Sequence, residues 1–413
     1  MERAVSLEEA EEKALQAIQG LGFRPVLENH SDSTNGPTAW SCSLTDANGK
    51  EKPHGLGFGK GNSEEARVGA LFEALEHLLD GPDYLDTKKV VLRSIDSFTS
   101  GELAAEASVG ILANATEVKL AAHPYAALTP GDPIDVPLYM SSPWYVEDPS
   151  RALRASLSDN FDYREVARYS TNSGWAIGIT EHEAMVHGLN EVIERDALSM
   201  LLARSFLGEG EPPFLVNPSS LSNKISTLLS TVEHLLETRV YLIDIKTDVD
   251  VPAYLAYTLP NSEKPPLQGS GASLSPEYAV YRALSELVQD HLLRDTESLT
   301  KDPFAYLEPL RKYPSLYKCG FFDLSDLLKQ SQMIPFETRA NPIGPDAHLT
   351  ELTKKVTTAG FSIYHGRKQV LNNGITAIHV LVPGMEHFMA ITKGLVITPG
   401  KRAIKALCTP THS

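Results

Sequence analysis

Residues 180–206 form a long helical segment that is apolar nearly all round and yet carries two glutamates in its middle. At about 100° per residue, Glu191 and Glu194 share a face with Leu198, Leu201 and Leu202. Met185, Val192, Ile193 and Met200 cover most of the rest. A helix without a polar side is a buried helix. An ionised carboxylate in a low-dielectric interior costs several kcal/mol unless it is paired, protonated or bound to a cation. The chain must therefore wrap a core around an acidic site. Arg195 offers a structural salt bridge as one answer, and a metal ion is the other.

Two further helices repeat the pattern. On the helix from Ser63, Glu73 and Glu76 share one face while Leu71, Phe72, Leu75, Leu78 and Leu79 cover most of the remainder. On the helix 276–293, Arg282, Glu286 and Gln289 fall within a narrow arc. Taken singly, the first pair also suits a solvated stripe, and Arg282 with Glu286 an ordinary surface ion pair. Recurrence favours function, because each helix follows a glycine-punctuated segment (55–63, 170–178 and 269–273), all three expected to contain turns. Thr180 is expected to cap the middle helix, with Glu183 in the capping-box position. Five glutamates converging with two arginines would suit magnesium and a polyphosphate.

The stretch 55–63 imitates a phosphate loop but fails its spacing, with His54 in place of the leading glycine and Gly61 after the lysine. It also fails the dinucleotide pattern, its second and third glycines standing one residue apart. What remains is a glycine-rich turn bearing Lys60 and opening a helix whose free amides could face an anion. A net charge of −16 argues against a nucleic-acid backbone as partner. No run reaches the roughly 18 apolar residues of a membrane helix, and the start lacks a signal-peptide pattern, so a cytoplasmic location is expected. Cys42, Cys319 and Cys408 are too scattered for a disulfide framework or a paired-cysteine zinc site.

The remaining pattern predicts an α/β (α+β) chain. A helix at 7–21, strands near 23–27, 40–44 and 55–59, and a hairpin turn at 46–49 make a small α/β layer over residues 1–80. Residues 81–413 form the remainder of one continuous catalytic domain. It holds strands at 135–140, 240–244, 253–258, 362–364 and 375–382, helices at 219–236 and 348–359, and a turn at Pro383-Gly384.

Gly59-Lys60-Gly61-Asn62-Ser63 with residues 70–77 (Ala-Leu-Phe-Glu-Ala-Leu-Glu-His), then Thr171-Asn172-Ser173-Gly174, Glu183 and residues 190–197 (Asn-Glu-Val-Ile-Glu-Arg-Asp-Ala), then residues 282–289, resemble the YcaO family in order and spacing. The late segments 382–386 and 399–402 extend the resemblance over nearly the whole chain. It implies mixed sheets packed with helices and an ATP site lined by three helices. Magnesium would be held by Glu73, Glu76, Glu191, Glu194 and Glu286. Glu183, Arg195 and Arg282 would contact the nucleotide, and Lys60, Ser63 and Gln289 complete the candidates for that site. No residue is assigned as catalytic base.

The implied activity is ATP- and magnesium-dependent phosphorylation of a backbone amide oxygen in a ribosomally made peptide, giving an azoline or a thioamide, with a partner protein delivering the substrate. A homodimer is compatible with it. Departures are His77 where arginine is usual, Gly69 where serine is common, and an ending at 408–413 unlike the proline-rich tail of azoline-forming members. The first 80 residues look closer to an enterobacterial member linked to ribosomal-protein methylthiolation. The alternatives are therefore an accessory ATPase for such a reaction and a non-catalytic nucleotide-binding scaffold.

Overall fold

The computed structural model describes residues 2–31, 36–113, 118–261, 264–294 and 302–408. The predicted tail 409–413 lies outside the described residues. Six helices among them exceed ten residues: α1 (Leu7–Gly20), α2 (Ser63–Asp80), α3 (Glu181–Phe206), α4 (Asn223–Leu236), α5 (Pro276–Leu293) and α6 (Pro345–Thr358). The strands in chain order are β1 (Arg24–Asn29), β2 (Thr38–Thr45), β3 (Glu51–Gly61), β4 (Val91–Ser94), β5 (Lys119–Ala127), β6 (Ile134–Pro137) and β7 (Trp175–Gly178). They continue as β8 (Phe214–Val216), β9 (Tyr241–Asp244), β10 (Ala253–Tyr257), β11 (Gln268–Ala272), β12 (Met333–Ile334), β13 (Tyr364–Val370) and β14 (Thr376–Leu381).

These strands build three sheets, β1-β2-β3, β4-β5-β13-β14-β7 with β6 on β5, and β11-β10-β9-β8-β12. The pairing is antiparallel except where β12 runs parallel to β8. Mixed sheets clad by helices are the α+β architecture expected. In the β2–β3 hairpin, Asp46 accepts from the Asn48 and Lys50 amides at 2.8 and 3.0 Å. Gly49 takes the positive φ of 78° that the tight turn requires. The first eighty residues do not form a separate core: Leu71, Leu75 and Leu78 of α2 pack with Trp175 and Ile177 of β7 and with Ile375 and Ala377.

Each glycine-punctuated segment before the three helices contains a strand: β3 includes the expected 55–59, β7 follows a turn at Ser173-Gly174 as expected of 170–178, and β11 stands where only a turn was expected. β3, β7 and β11 each feed straight into α2, α3 and α5, and the glycines mark where helix backbone lies on strand backbone. A Cβ on Gly59 would stand 1.7 Å from the Ala66 carbonyl oxygen and one on Gly57 2.1 Å from the Ala74 amide. One on Gly178 would meet the Ala184 amide at 2.6 Å, and one on Gly269 the Leu287 amide at 2.2 Å. Local sequence shows the glycines; only the facing helix shows that they serve close approach.

Smaller differences have local causes. The strand expected to reach Met140 ends at Pro137, which has no N–H for the ladder, and a 3₁₀ turn, Leu138–Met140, follows. The helix expected from 219 divides: Asn217 caps a 3₁₀ turn, Pro218–Ser220, and α4 starts at Asn223. The strand expected at 362–364 starts at Tyr364 and runs to Val370, its register shifting between Gly366 and Gln369 around Arg367, at φ 51°.

The Pro383-Gly384 turn is held by Glu106, which accepts from the Gly384 amide at 2.8 Å. Burial, only partly offset by that bond, pushes the Glu106 carboxyl up to about 7, and Glu386 adds to the rise. The folded chain then keeps a proton that the unfolded chain releases near 4.5. This contribution to stability is fully present below the unfolded value and is lost as pH rises through the folded one, amounting to about 3 kcal/mol. Glu106→Gln is expected to flatten the decline in urea midpoint between about pH 5 and about pH 8 by that order. The same pH slope in both proteins would remove this account.

Candidate nucleotide and metal site

α2, α3 and α5 converge on one cavity of about 2260 Å³. Its lining includes Lys60, Glu73, Glu76, Glu183, Glu191, Glu194, Arg195, Arg282, Glu286 and Gln289, ten of the eleven candidate residues. Ser63 is the exception: it is exposed at the first position of α2, and its hydroxyl accepts from the Trp40 indole at 3.3 Å. Nor does the start of α2 offer free amides to an anion. Asn62 accepts from the Glu64 and Glu65 amides at 3.0 Å, and Glu65 accepts from the Asn62 amide at 3.2 Å, closing a capping box.

The acidic cluster is partly paired within itself. Arg195 donates to Glu191 at 2.6 Å, as the salt-bridge reading anticipated. Lys60 reaches across from β3 to Glu286, whose other oxygen accepts from the Ser270 amide at 3.4 Å. Ser270 on β11 also donates its hydroxyl to Glu194 at 2.8 Å. The second Glu194 oxygen and the Nε of Arg282 are buried with no partner. A buried carboxylate oxygen and a buried guanidinium N–H, left unpaired on residues that line a cavity, are groups that want a cation and an anion, respectively.

Electrostatics tell the same story. Burial raises the Glu76 carboxyl well above its ordinary value, and the charges of Glu191, Glu73 and Asp80 add to the rise. Burial also raises Glu73 and Glu194. Glu73 leaves 37% of its side chain open, but that surface belongs to a residue lining the cavity. Glu286 goes the other way: burial would raise it, yet Lys60 and Arg282 outweigh that. The cluster thus holds more negative charge than its own cations neutralise. Among the described residues, no three side chains of the kinds that bind metals form a ready-made cage. Magnesium suits such a site, because it is held by one or two carboxylates and completes its shell with water and phosphate oxygens.

Glu183 does not close the capping box expected at Thr180. Thr180 accepts from the Glu183 amide at 3.2 Å, but the Glu183 carboxylate turns to the chain's start, accepting from Arg3 at 3.1 Å and from the Ala4 amide at 3.2 Å. Glu2, next in the strap, accepts from Asn190 at 3.2 Å and from Ser273. This N-terminal strap, His187 on α3 and Lys393 are cavity residues that pattern reading missed. An isolated Arg3 before a helix carries no periodic signal, and Lys393 arrives from a distant turn. His187 stands one turn from both Glu183 and Glu191, a spacing that could have flagged it.

Three comparisons bear on this arrangement. A curated protein from Methanothermobacter thermautotrophicus, described only as uncharacterized, is 28% identical over 225 residues, covering 53% of this chain and 56% of its own length. An uncharacterized protein of the tfuA 3′ region of Rhizobium leguminosarum bv. trifolii is 26% identical over 241 residues, 56% of this chain and 52% of its own length. The chain therefore spans about half the length of the curated relatives it matches.

Among solved structures, YcaO from Methanopyrus kandleri bound with AMPPCP and Mg2+ superposes with a TM-score of 0.65 at 21% identity, over 96% of this chain and 95% of that one. A heterocyclase in complex with substrate and cofactor gives 0.64 at 17% identity, over 94% of this chain and 53% of that one. The E. coli microcin synthetase McbBCD complex with pro-MccB17 bound gives 0.56 at 13%, over 87% and 88%. At these identities the likeness is one of fold. A family model described as YcaO cyclodehydratase, ATP- and Mg2+-binding, matches residues 58–386, from the second half of β3 to the Glu386 that follows the Pro383-Gly384 turn, and so takes in all three glutamate-bearing helices: the chain belongs to the YcaO family.

Proposed function

We propose that this enzyme uses ATP and magnesium to activate a backbone amide of a ribosomally made peptide, yielding an azoline or a thioamide. The observation that carries the reading is the meeting, in one cavity, of five glutamates from three helices with Lys60, Arg195 and Arg282, two of these groups keeping buried atoms without partners. Glu73, Glu76, Glu191, Glu194 and Glu286 would hold magnesium, and Glu183, Arg195, Arg282, Lys60 and Gln289 would face the nucleotide. Bound ATP supplies a γ-phosphoryl group for the amide oxygen, which turns a poor leaving group into a good one. The chain's own part is to neutralise charge and fix positions. Lys60 and Arg282 bring positive charge to the phosphate side, and the helix–strand contacts at the glycines hold the carboxylates at fixed separation.

The family description as a cyclodehydratase supports a peptide substrate, as does likeness in fold to a heterocyclase bound to substrate. The cavity also exceeds the roughly 300–1,000 Å³ usual for one small ligand, leaving room for a nucleotide and a peptide segment. A partner protein for delivery fits the fold shared with a component of a multi-protein synthetase. We place the reaction in the cytoplasm; no helix among the described residues is long and apolar enough to cross a membrane.

The test uses a peptide carrying heavy oxygen in its backbone carbonyls, incubated with enzyme, ATP and candidate partner. At the labelled carbonyl, loss of about 20 Da marks cyclodehydration and gain of about 14 Da marks sulfur for oxygen (about 18 and about 16 Da for unlabelled peptide), and labelled phosphate should appear in step with product. Unlabelled phosphate beside modified peptide would overturn direct amide phosphorylation. Phosphate release with no peptide change under any partner combination would favour the accessory-ATPase alternative.

A further inference from the structure

The cavity is lined by more residues than the nucleotide-facing ones. On one side of the glutamates lie the N-terminal strap, Glu183 and His187; on the other a 3₁₀ turn, Phe388–Lys393, presents Met389, Thr392 and Lys393 to the same space. That turn is built to stay put. Phe388 and Ile391 are buried, and the Met389 amide donates to Ser199 of α3 at 2.8 Å. Gly394 closes the turn at φ 81°, so near Tyr306 that a Cβ would stand 2.0 Å from its carbonyl oxygen. A lysine directly before such an anchor has its backbone fixed.

Lys393 makes no hydrogen bond or ion pair with any described residue, whereas Lys60 is taken by Glu286 and Arg195 by Glu191. The charges it feels are Arg195, Glu286 and Glu191. Those felt by His187, at the strap side, are Arg282, Arg3 and Lys60. Along α3, His187 stands before Glu191 and Glu194, and Ser199, which holds the turn bearing Lys393, stands after them, so the two residues flank the pair from opposite ends. Lys393 is exposed to the cavity, and desolvation and the Arg195 charge lower its pKa from the ordinary lysine value.

Resting on the function proposed above, we infer that Lys393 is a catalytic residue on the acceptor side, donating an N–H to the oxygen of the peptide amide under attack. As a nucleophile adds to the amide carbon, the carbonyl π pair moves onto that oxygen. A donor placed at that point stabilises the developing charge. Lys393 keeps its proton throughout, so the role asks for no base and no further reactant. The glutamates and Lys60 cannot serve, since carboxylates repel the oxygen and Lys60 is engaged.

Two experiments on the full chain decide this. First, acetylation by limiting acetic anhydride, read residue by residue by mass spectrometry, should modify Lys393 at rates within twofold with and without saturating Mg·AMPPCP; protection of tenfold or more would put Lys393 on the nucleotide side and overturn the assignment. Second, Lys393→Met should slow peptide conversion about 100-fold or more, the usual effect of losing one such donor, while Mg·AMPPCP affinity by calorimetry stays within twofold, and Lys393→Arg should recover part of the rate. Unchanged conversion in Lys393→Met, or a loss of rate matched by an equal loss of nucleotide affinity, would also overturn it. A wild-type enzyme that converts no peptide would instead sink the proposed function, leaving the acetylation result to decide which side of the cluster Lys393 faces.

Discussion

Replacing Glu191 and Glu194 together by glutamine is expected to lower Mg·AMPPCP affinity at least 100-fold while leaving the metal-free protein as stable as the wild type, or more so. Two opposing effects of the same charges give this pattern. In the absence of metal, Glu194 is buried, raised by burial and by the Glu286 charge, and keeps one oxygen without a partner. Removing its charge relieves repulsion, and the Ser270 hydroxyl can still donate to a glutamine oxygen. Glu191 loses its charge pair with Arg195, whose partners are 18% and 25% exposed, but a glutamine oxygen at 191 can still accept from the Arg195 guanidinium. In the presence of nucleotide the balance reverses, because triphosphate beside Glu73, Glu76 and Glu286 needs intervening cations. Melting temperatures in EDTA and with Mg·AMPPCP, with calorimetry on both proteins, check it. A double variant that melts far lower in EDTA would make the glutamates structural, and one that binds Mg·AMPPCP like the wild type would remove their metal role.

Gly59→Ala is expected to destabilise the protein by about 3 kcal/mol or more, or to prevent folding, although it adds one methyl group. The new Cβ would sit 1.7 Å from the Ala66 carbonyl oxygen and 2.5 Å from the Ala70 amide. Both are backbone atoms of α2, so no side chain can swing away. α2 as a whole would have to lift off β3, taking Glu73 and Glu76 with it. The matching control is Gly49→Ala, in the β2–β3 turn, where nothing lies within 4 Å and only the positive φ opposes the change. There the cost should be about 1–2 kcal/mol. Urea midpoints compare the two, and equal values would mean that close strand–helix contact does not govern this unit.

Sequence alone determined much of the site, because its parts are written in local code. Helix bounds follow from caps and from a 3.6-residue period, both short-range: α2 starts at the predicted Ser63 and α5 runs over the predicted 276–293. The buried character of α3 and the pairing of Glu191 with Arg195 were legible for the same reason, since residues four apart on a helix must be neighbours.

The tertiary structure decided what depends on the other side of a contact. The same glycines can punctuate a turn or admit a helix, and only the backbone of α2, α3 and α5 lying across them shows the close approach they serve; 269–273, read as a turn, is the strand β11. Glu183 had a local partner available in its own capping box, but Arg3 and Ala4 compete for its carboxylate from 180 and 179 residues away. Ser63 stands three residues from Lys60, yet the strand–helix junction turns it to Trp40 and out of the cavity. Lys393 enters that cavity only because Ser199 and Tyr306 fix a distant turn against α3. Separations along the chain of tens to hundreds of residues carry no periodicity, so contacts across them are set by packing and become visible only in the folded molecule.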